Sequence, residues 1–234
     1  MTKIIGISGR KQSGKNTVAN YINGKVLQGQ DMVKDFKLAE DGSLEILTTD
    51  TSGAEGWGVF DVLRKDADFT YYAESNLWPF VKVYHFADYL KKISIELFDL
   101  TPQQVYGTDE DKNTDTPYGM TSREFLQYLG TDVMRKIKDT IWVDCTMKMI
   151  QQEQPSIAII PDVRFPNEVD AIHRAGGEVL RLDRDMLNSD HSCETALDTL
   201  NYSWDNFDII IRNHSMTLEE LSRELESYPS LWSI

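Results

Sequence analysis

The sequence predicts an α/β fold, a parallel five-stranded sheet with helices on both faces and a mixed insertion. Three observations lead there. Short β-branched apolar runs alternate with helical patterns along most of the 234 residues, as a parallel sheet covered on both faces requires. The first run, Lys3–Ser8, passes directly into Gly9–Arg10–Lys11–Gln12–Ser13–Gly14–Lys15–Asn16–Thr17. That stretch fits G-x-x-x-x-G-K, the phosphate-binding loop set between a strand and a helix. A later run, Ile157–Ile160, ends in Pro161–Asp162, placing an acid at a strand's carboxyl end, where α/β sheets bind ligands.

The totals are consistent with this. The length suits one domain over residues 1–234 with an insertion at 27–80. A 41% hydrophobic fraction is ample for a core. The net charge of −14 argues against broad binding to nucleic-acid backbone. It leaves phosphorylated small molecules open, because local Arg and Lys act within a Debye length of about 8–10 Å. Cys145 and Cys193 are far apart without metal-type spacing and read as free thiols of a cytosolic protein. No apolar run approaches the roughly 18 residues of a membrane span, and the first is too short for a signal peptide. The chain is therefore expected to be soluble and cytoplasmic. No internal repeat or low-complexity segment stands out.

Element by element, Lys3–Ser8 reads as a buried strand. Its glycine-bearing loop can curl so that several N–H groups face one anion, and the following helix adds its positive end. Lys15 brings a full charge within reach of β- and γ-phosphates, and Thr17 a hydroxyl. Gly9, Lys11, Ser13, Gly14, Lys15, Asn16 and Thr17 are the candidate ATP-binding residues. Asn16 stands where the motif usually has the Ser or Thr that binds Mg²⁺. Either Asn16, directly or through water, or Thr17 takes that role. The helix runs to about Val26.

From Leu27 to Phe80 the pattern weakens. Leu38–Leu47 reads as a hairpin turning at Asp41–Gly42, and Thr51–Trp57 as a loop. Phe60, Phe69, Tyr71, Tyr72 and Trp78 belong to an insertion packed on the main sheet, core packing outweighing base stacking. Val81–Phe86 alternates as a strand, and Ala87 opens a helix reaching Phe98. Asp88 and Lys91 lie at that strand's end, Asp88 as a helix cap or a ligand contact. His85 reads as a strand residue, since phosphoryl transfer needs little base strength. Thr101–Pro102 starts a short helix.

Gly107–Gly119 is polar and rich in breakers. It reads as a loop, either a solvated charge run or a mobile segment (107–120) near the site. Thr121–Ser122–Arg123–Glu124 is a capping box. Arg123 and Gln127 share a face of the helix it starts, which ends at Gly130. Another helix spans about Trp142–Gln152. After the Ile157 strand, Asp162 is placed to organise Mg²⁺. Arg164 either pairs with Asp162 or grips a phosphate with its planar fork. Pro166 begins a helix that stops at Gly176–Gly177. Glu178–Leu182 is a strand with Arg184 just beyond it. His191–Glu194 lies in a loop, Phe207–Ile211 is the last strand, and Thr217 caps a final amphipathic helix.

Taken together and in order, these motifs carry a resemblance. They are Gly9–Thr17, Phe86–Ala87–Asp88, Gly130–Thr131–Asp132 with Arg135 and Trp142, Ile160–Arg164, Glu168–Ala171, Gly176–Gly177, Arg184, His191 with Glu194, and Asp208–Ile211. The chain resembles the deoxynucleoside monophosphate kinases of tailed bacteriophages, whose loop ends in Gly-Lys-Asp-Thr or Gly-Lys-Asn-Thr. The resemblance covers the loop and most of Val81–Leu221 but not Leu27–Phe80.

It implies a P-loop kinase fold, ATP and Mg²⁺ as cofactors, a deoxynucleoside monophosphate as acceptor, small-molecule partners only, and often a homodimer. It also implies that Lys15 and the loop hold ATP, and that Asn16, Thr17 and Asp162 serve the metal. Arg123, Arg164 and Arg184 would hold substrate phosphate or neutralise transition-state charge. Asp88, Lys91, Gln127 and Glu194 would line the acceptor site. The rivals are a dephospho-coenzyme A kinase-like enzyme and a nucleotide-binding regulator that transfers nothing. The regulator would need few arginines near the loop, and three candidates are present. A GTPase is disfavoured because no Asn-Lys-x-Asp motif occurs.

Overall fold

The structure is a computed structural model that describes residues 2–49, 53–62, 67–184 and 195–233. The chain forms two compact units, one of Met1–Tyr84 with Ile150–Ile234 and one of His85–Met149. The first unit opens with β1 (Lys3–Ser8), α1 (Lys15–Gly29), β2 (Asp35–Leu38), β3 (Leu44–Thr49), β4 (Glu55–Val59), α2 (Ala67–Asn76) and β5 (Val81–Val83). The second holds α3 (Asp88–Phe98), α4 (Pro102–Tyr106), α5 (Asp109–Lys112), α6 (Ser122–Gln127), a π-helical stretch Tyr128–Met134 and α7 (Arg135–Ile137). α8 (Ile141–Glu153) begins in the second unit and ends in the first, which closes with β6 (Ile157–Val163), α9 (Pro166–Arg174), β7 (Glu178–Asp183), β8 (Ile209–Arg212) and α10 (Leu218–Leu225).

The first unit contains the predicted sheet. Five parallel strands pair in the order β5-β6-β1-β7-β8. The three central strands are buried along nearly their whole length, which is why they read as continuous apolar runs and not as alternating ones. Ile5, Ile7, Val18, Ile22, Ile159 and Leu180 form the middle of the core. The chain leaves β1 for β5 on one side and leaves β7 for β8 on the other. The switch point, at which such sheets take ligands, therefore falls between the carboxyl ends of β1 and β7.

β2, β3 and β4 form a separate antiparallel sheet, with the hairpin turn at Asp41–Gly42 as expected. β4 corrects the loop expected over Thr51–Trp57: Leu47 pairs with Trp57 and Thr49 with Glu55. Gly56 and Gly58 dilute the local strand pattern, so this strand exists through its partner β3. Phe60, Phe69 and Trp78 pack against the main core. Among the described residues no helix is long and apolar enough to cross a membrane.

The second unit is helical. Phe98, Tyr118 and Phe125 form an aromatic cluster with centroids 5.1–5.9 Å apart. The loop expected over Gly107–Gly119 contains α5, one turn closed by a reciprocal Thr108–Asp111 capping box. A charge run conceals such a cap. The helix begun at Thr121 does not end at Gly130 but continues as the π-helical stretch. The buried indole of Trp142 donates to the Gly130 carbonyl at 3.0 Å. It takes a carbonyl that the regular ladder would use, a recognised cause of local helix distortion.

α1 lies along β2: a Cβ at Gly24 would overlap the Phe36 ring, which is T-stacked on Tyr21 at 5.5 Å. Replacing glycine by alanine within a helix ordinarily gains about 0.5–1 kcal/mol. At Gly24 the overpacking, about 1–3 kcal/mol, reverses that sign. Urea unfolding should show Gly24→Ala less stable than wild type, and Gly29→Ala, whose new Cβ meets nothing within 4 Å, neutral or more stable.

Candidate active site

The loop after β1 brings Gly14 into the left-handed region (φ 99°) at the N-cap of α1. The N-cap residue, a glycine, has no side chain to cap this helix, and the first turn holds no acid. By contrast α4, α5, α6 and α10 each carry a threonine capping box. The first-turn N–H groups of α1 and its dipole thus face the loop without an N-cap side chain, the arrangement in which a helix start receives an anion. The Lys15 ammonium folds over the loop and donates to the carbonyls of Gly9 and Arg10, both at 2.7 Å. Asn16 is exposed, and Thr17 and Lys11 are half-buried. Arg184, just past β7, approaches the Gln12 carbonyl at 3.5 Å.

Asp162 sits half-buried at the end of β6. Arg164 follows, and its backbone N–H donates to Glu168 Oε2 at 2.6 Å, with Phe165 N–H donating to the same oxygen at 3.1 Å. Glu168 is 1% exposed. It closes the start of α9 and shapes the turn that carries Arg164.

The first unit therefore places the loop, Asp162, Arg164 and Arg184 at the carboxyl ends of β1, β6 and β7. The second unit holds the others. The Asp88 carboxylate accepts from the His85 backbone N–H at 3.2 Å, and the Asp88 N–H donates to the His85 carbonyl at 3.1 Å. Lys91 Nζ stands 4.8 Å from the Tyr106 ring centre. Arg123 donates to Asp109 at 2.7 Å and to Asn113 at 3.1 Å, tying α6 to α5. Gln127, one turn on, is half-buried. Glu194 and His191 lie outside the described residues.

The structure adds residues that the sequence did not single out. Arg181, 5% exposed on β7, donates to Ser8 Oγ at 3.0 Å and to Asp198 at 3.4 Å, and stacks 5.0 Å over Trp204. Burial pushes its pKa down, while Asp198 and Asp183 pull it back up. Asp198 also takes the Arg10 fork at 2.5 and 3.2 Å, so one carboxylate couples the loop to β7. Asn213, after β8, donates its amide to the Ser13 carbonyl at 3.3 Å. Among the described residues, Asn213 Oδ1 and Ser13 Oγ are buried without hydrogen-bond partners. The one sequence signal was Arg181 itself, a charge inside an otherwise apolar strand core.

A family model described as deoxynucleotide monophosphate kinase matches residues 73–225. The chain belongs to the deoxynucleotide monophosphate kinase family. It is a kinase acting on nucleotides, as the resemblance implied. It is 35% identical over 158 residues to a protein of Acanthamoeba polyphaga mimivirus, provisionally named a deoxynucleotide monophosphate kinase. That match spans 61% of this chain and 79% of the relative. Over 93 residues it is 33% identical to the deoxynucleoside-5′-monophosphate kinase of Escherichia phage T5, spanning 38% of this chain and 34% of that protein. The family match begins after the phosphate loop, so the loop rests on its own geometry.

In this kinase Glu168 satisfies two backbone donors with one buried carboxylate. Glu168→Ala removes the buried acceptor of both and should cost about 2–3 kcal/mol, read as a lowered urea midpoint. Glu168→Gln keeps an acceptor and should lose less than half of that.

Proposed function

We propose that the kinase uses ATP with Mg²⁺ as donor and passes the γ-phosphoryl group to a deoxynucleoside 5′-monophosphate, yielding the diphosphate and ADP. The observation that carries the donor side is the start of α1, which has no N-cap side chain, at the switch point, with Lys15 folded over the loop and Arg184 beside it. Phosphoryl transfer asks chiefly for positioning and charge neutralisation, and the loop offers both.

The donor set suits Mg²⁺. The metal usually takes one or two protein oxygens and fills its octahedron with phosphate and water. Asn16 and Asp162 are oxygen ligands of that kind, with Thr17 as the other candidate from the loop. Among the described residues no cluster of three or more His, Cys, Asp or Glu forms a ready-made cage. When bound, Mg²⁺ would neutralise charge on the β- and γ-oxygens. Gly9, Lys11, Ser13, Gly14 and Lys15 would hold the donor phosphates, and Arg164 and Arg184 would stabilise charge on the migrating group. For the acceptor, the resemblance supports Asp88, Lys91, Arg123, Gln127, Arg164 and Glu194.

Lys15→Ala should lower kcat by about 10²–10³, the worth of one preorganised electrostatic contact, with an unchanged melting curve. Activity within threefold of wild type would remove the assignment. Asp162→Asn should raise the Mg²⁺ concentration for half-maximal rate. A lowered Tm with an unshifted metal titration would make Asp162 a structural partner instead.

The acceptor is tested with ATP, Mg²⁺ and the common ribo- and deoxynucleoside monophosphates in a coupled ADP-release assay. A wall against C2′ rejects the extra hydroxyl at a cost of about 1–3 kcal/mol. The matching ribonucleotide should therefore show a kcat/KM about five- to 150-fold lower. Equal rates on both sugars would leave a general nucleoside monophosphate kinase, and turnover of dephospho-coenzyme A alone would overturn the proposal.

A further inference from the structure

The β2–β3 hairpin lies along α1 from end to end. Gln28, near the helix's C-terminus, donates to Asp35 at 3.0 Å. Gly24 faces Phe36, and Tyr21 packs on the same ring. At the N-terminal end, Asn20 Nδ2 donates to the Gly42 carbonyl at 2.9 Å. A Cβ at Gly42 would collide with Thr17 Oγ1 and touch Thr17 Cβ and Cγ2 at 3.2 Å. Thr17 and Asn20 are one turn apart and share a helix face.

The turn itself is rigidly made. Gly42 N–H donates to the Ala39 carbonyl at 2.8 Å, Ala39 N–H to Ser43 at 2.9 Å, and Ser43 N–H to the Asp41 carboxylate at 2.9 Å. Gly42 has φ 82°, which favours glycine, and the close approach to Thr17 requires it. The tip of the insertion thus presses on the helix turn that follows Lys15.

We propose that the β2–β3 turn is a positioning element of the donor-phosphate site. It holds Thr17 and the first turn of α1 in the pose that presents their N–H groups to the phosphates, and the Thr17 hydroxyl faces the turn. This rests on the reading of the loop as the ATP site, and it gives residues 35–49 a role within that site. The turn lies outside the stretch matched by the family model.

The test is calorimetric titration of the acceptor-free protein with Mg²⁺·ATP, alongside dNMP titration and thermal melting. Asn20→Ala should raise the ATP Kd about two- to tenfold, the worth of one net hydrogen bond, and leave the dNMP Kd unchanged. Gly42→Ala should raise the ATP Kd further. In a Thr17→Ala background Gly42→Ala should add less than it does in the wild type, because the collisions with Oγ1 and Cγ2 are gone while the Cβ contact and the φ of 82° remain. Gly58→Ala in β4, where a Cβ meets nothing within 4 Å, should match wild type. ATP binding by Asn20→Ala and Gly42→Ala at wild-type strength would overturn the inference. So would a lowered Tm with an unchanged ATP Kd, which marks a purely structural splint. A wild type that binds dNMP but no ATP would overturn the donor reading and this inference with it.

Discussion

The first turn of α1 carries backbone N–H groups that no side chain of its own caps. Four other helices close theirs with threonine and a Glu, Gln or Asp three residues on. Losing such a cap costs about 1 kcal/mol in an ordinary helix. At α1 that expense is tolerated because the rest of the first unit holds the helix. Val18, Ala19, Ile22, Val26 and Leu27 are buried in the core, the hairpin lies along a second face, and the sheet order places its start at the switch point.

Charge follows the same plan. A chain of net charge −14 must gather cations locally if it is to hold polyphosphate, and it does so at the loop. Lys15 is steered by two loop carbonyls, and Arg184 reaches a third. The carboxylate of Asp198 takes the forks of both Arg10 and Arg181. This arrangement uses a buried guanidinium as a brace: stacked on Trp204 and bonded to Ser8, Arg181 fixes Asp198, which fixes Arg10 in the loop. Partly satisfied networks of this kind are costly unless something completes them. The orphaned Ser13 Oγ and Asn213 Oδ1 lie under the same loop.

The second unit shows how side chains reshape helices. The Trp142 indole claims the Gly130 carbonyl, and the backbone answers with a π-helical stretch over Tyr128–Met134. Arg123 binds Asp109 and Asn113 and joins α6 to the one-turn α5. Short polar segments of this kind hold their form through such latches, since one helical turn alone cannot offset its nucleation cost.

The sequence by itself determined the strand–loop–helix start, the five strands of the main sheet, the hairpin at Asp41–Gly42, the helix start at Thr101–Pro102 and the caps at Thr121 and Thr217. Each is encoded within a few neighbouring residues: a glycine spacing, an apolar run, a Thr–Pro start, a Thr–x–x–Glu pair. The tertiary structure alone decided β4, the π-helical stretch, the Arg10–Asp198–Arg181 brace and the contact of Gly42 with Thr17. Asp198 meets Arg10 across 188 residues and Asn213 meets Ser13 across 200. Local propensity carries no information about such pairs. They arise only when the sheet order brings the carboxyl ends of β1, β7 and β8 side by side, so they became visible only once the chain was folded.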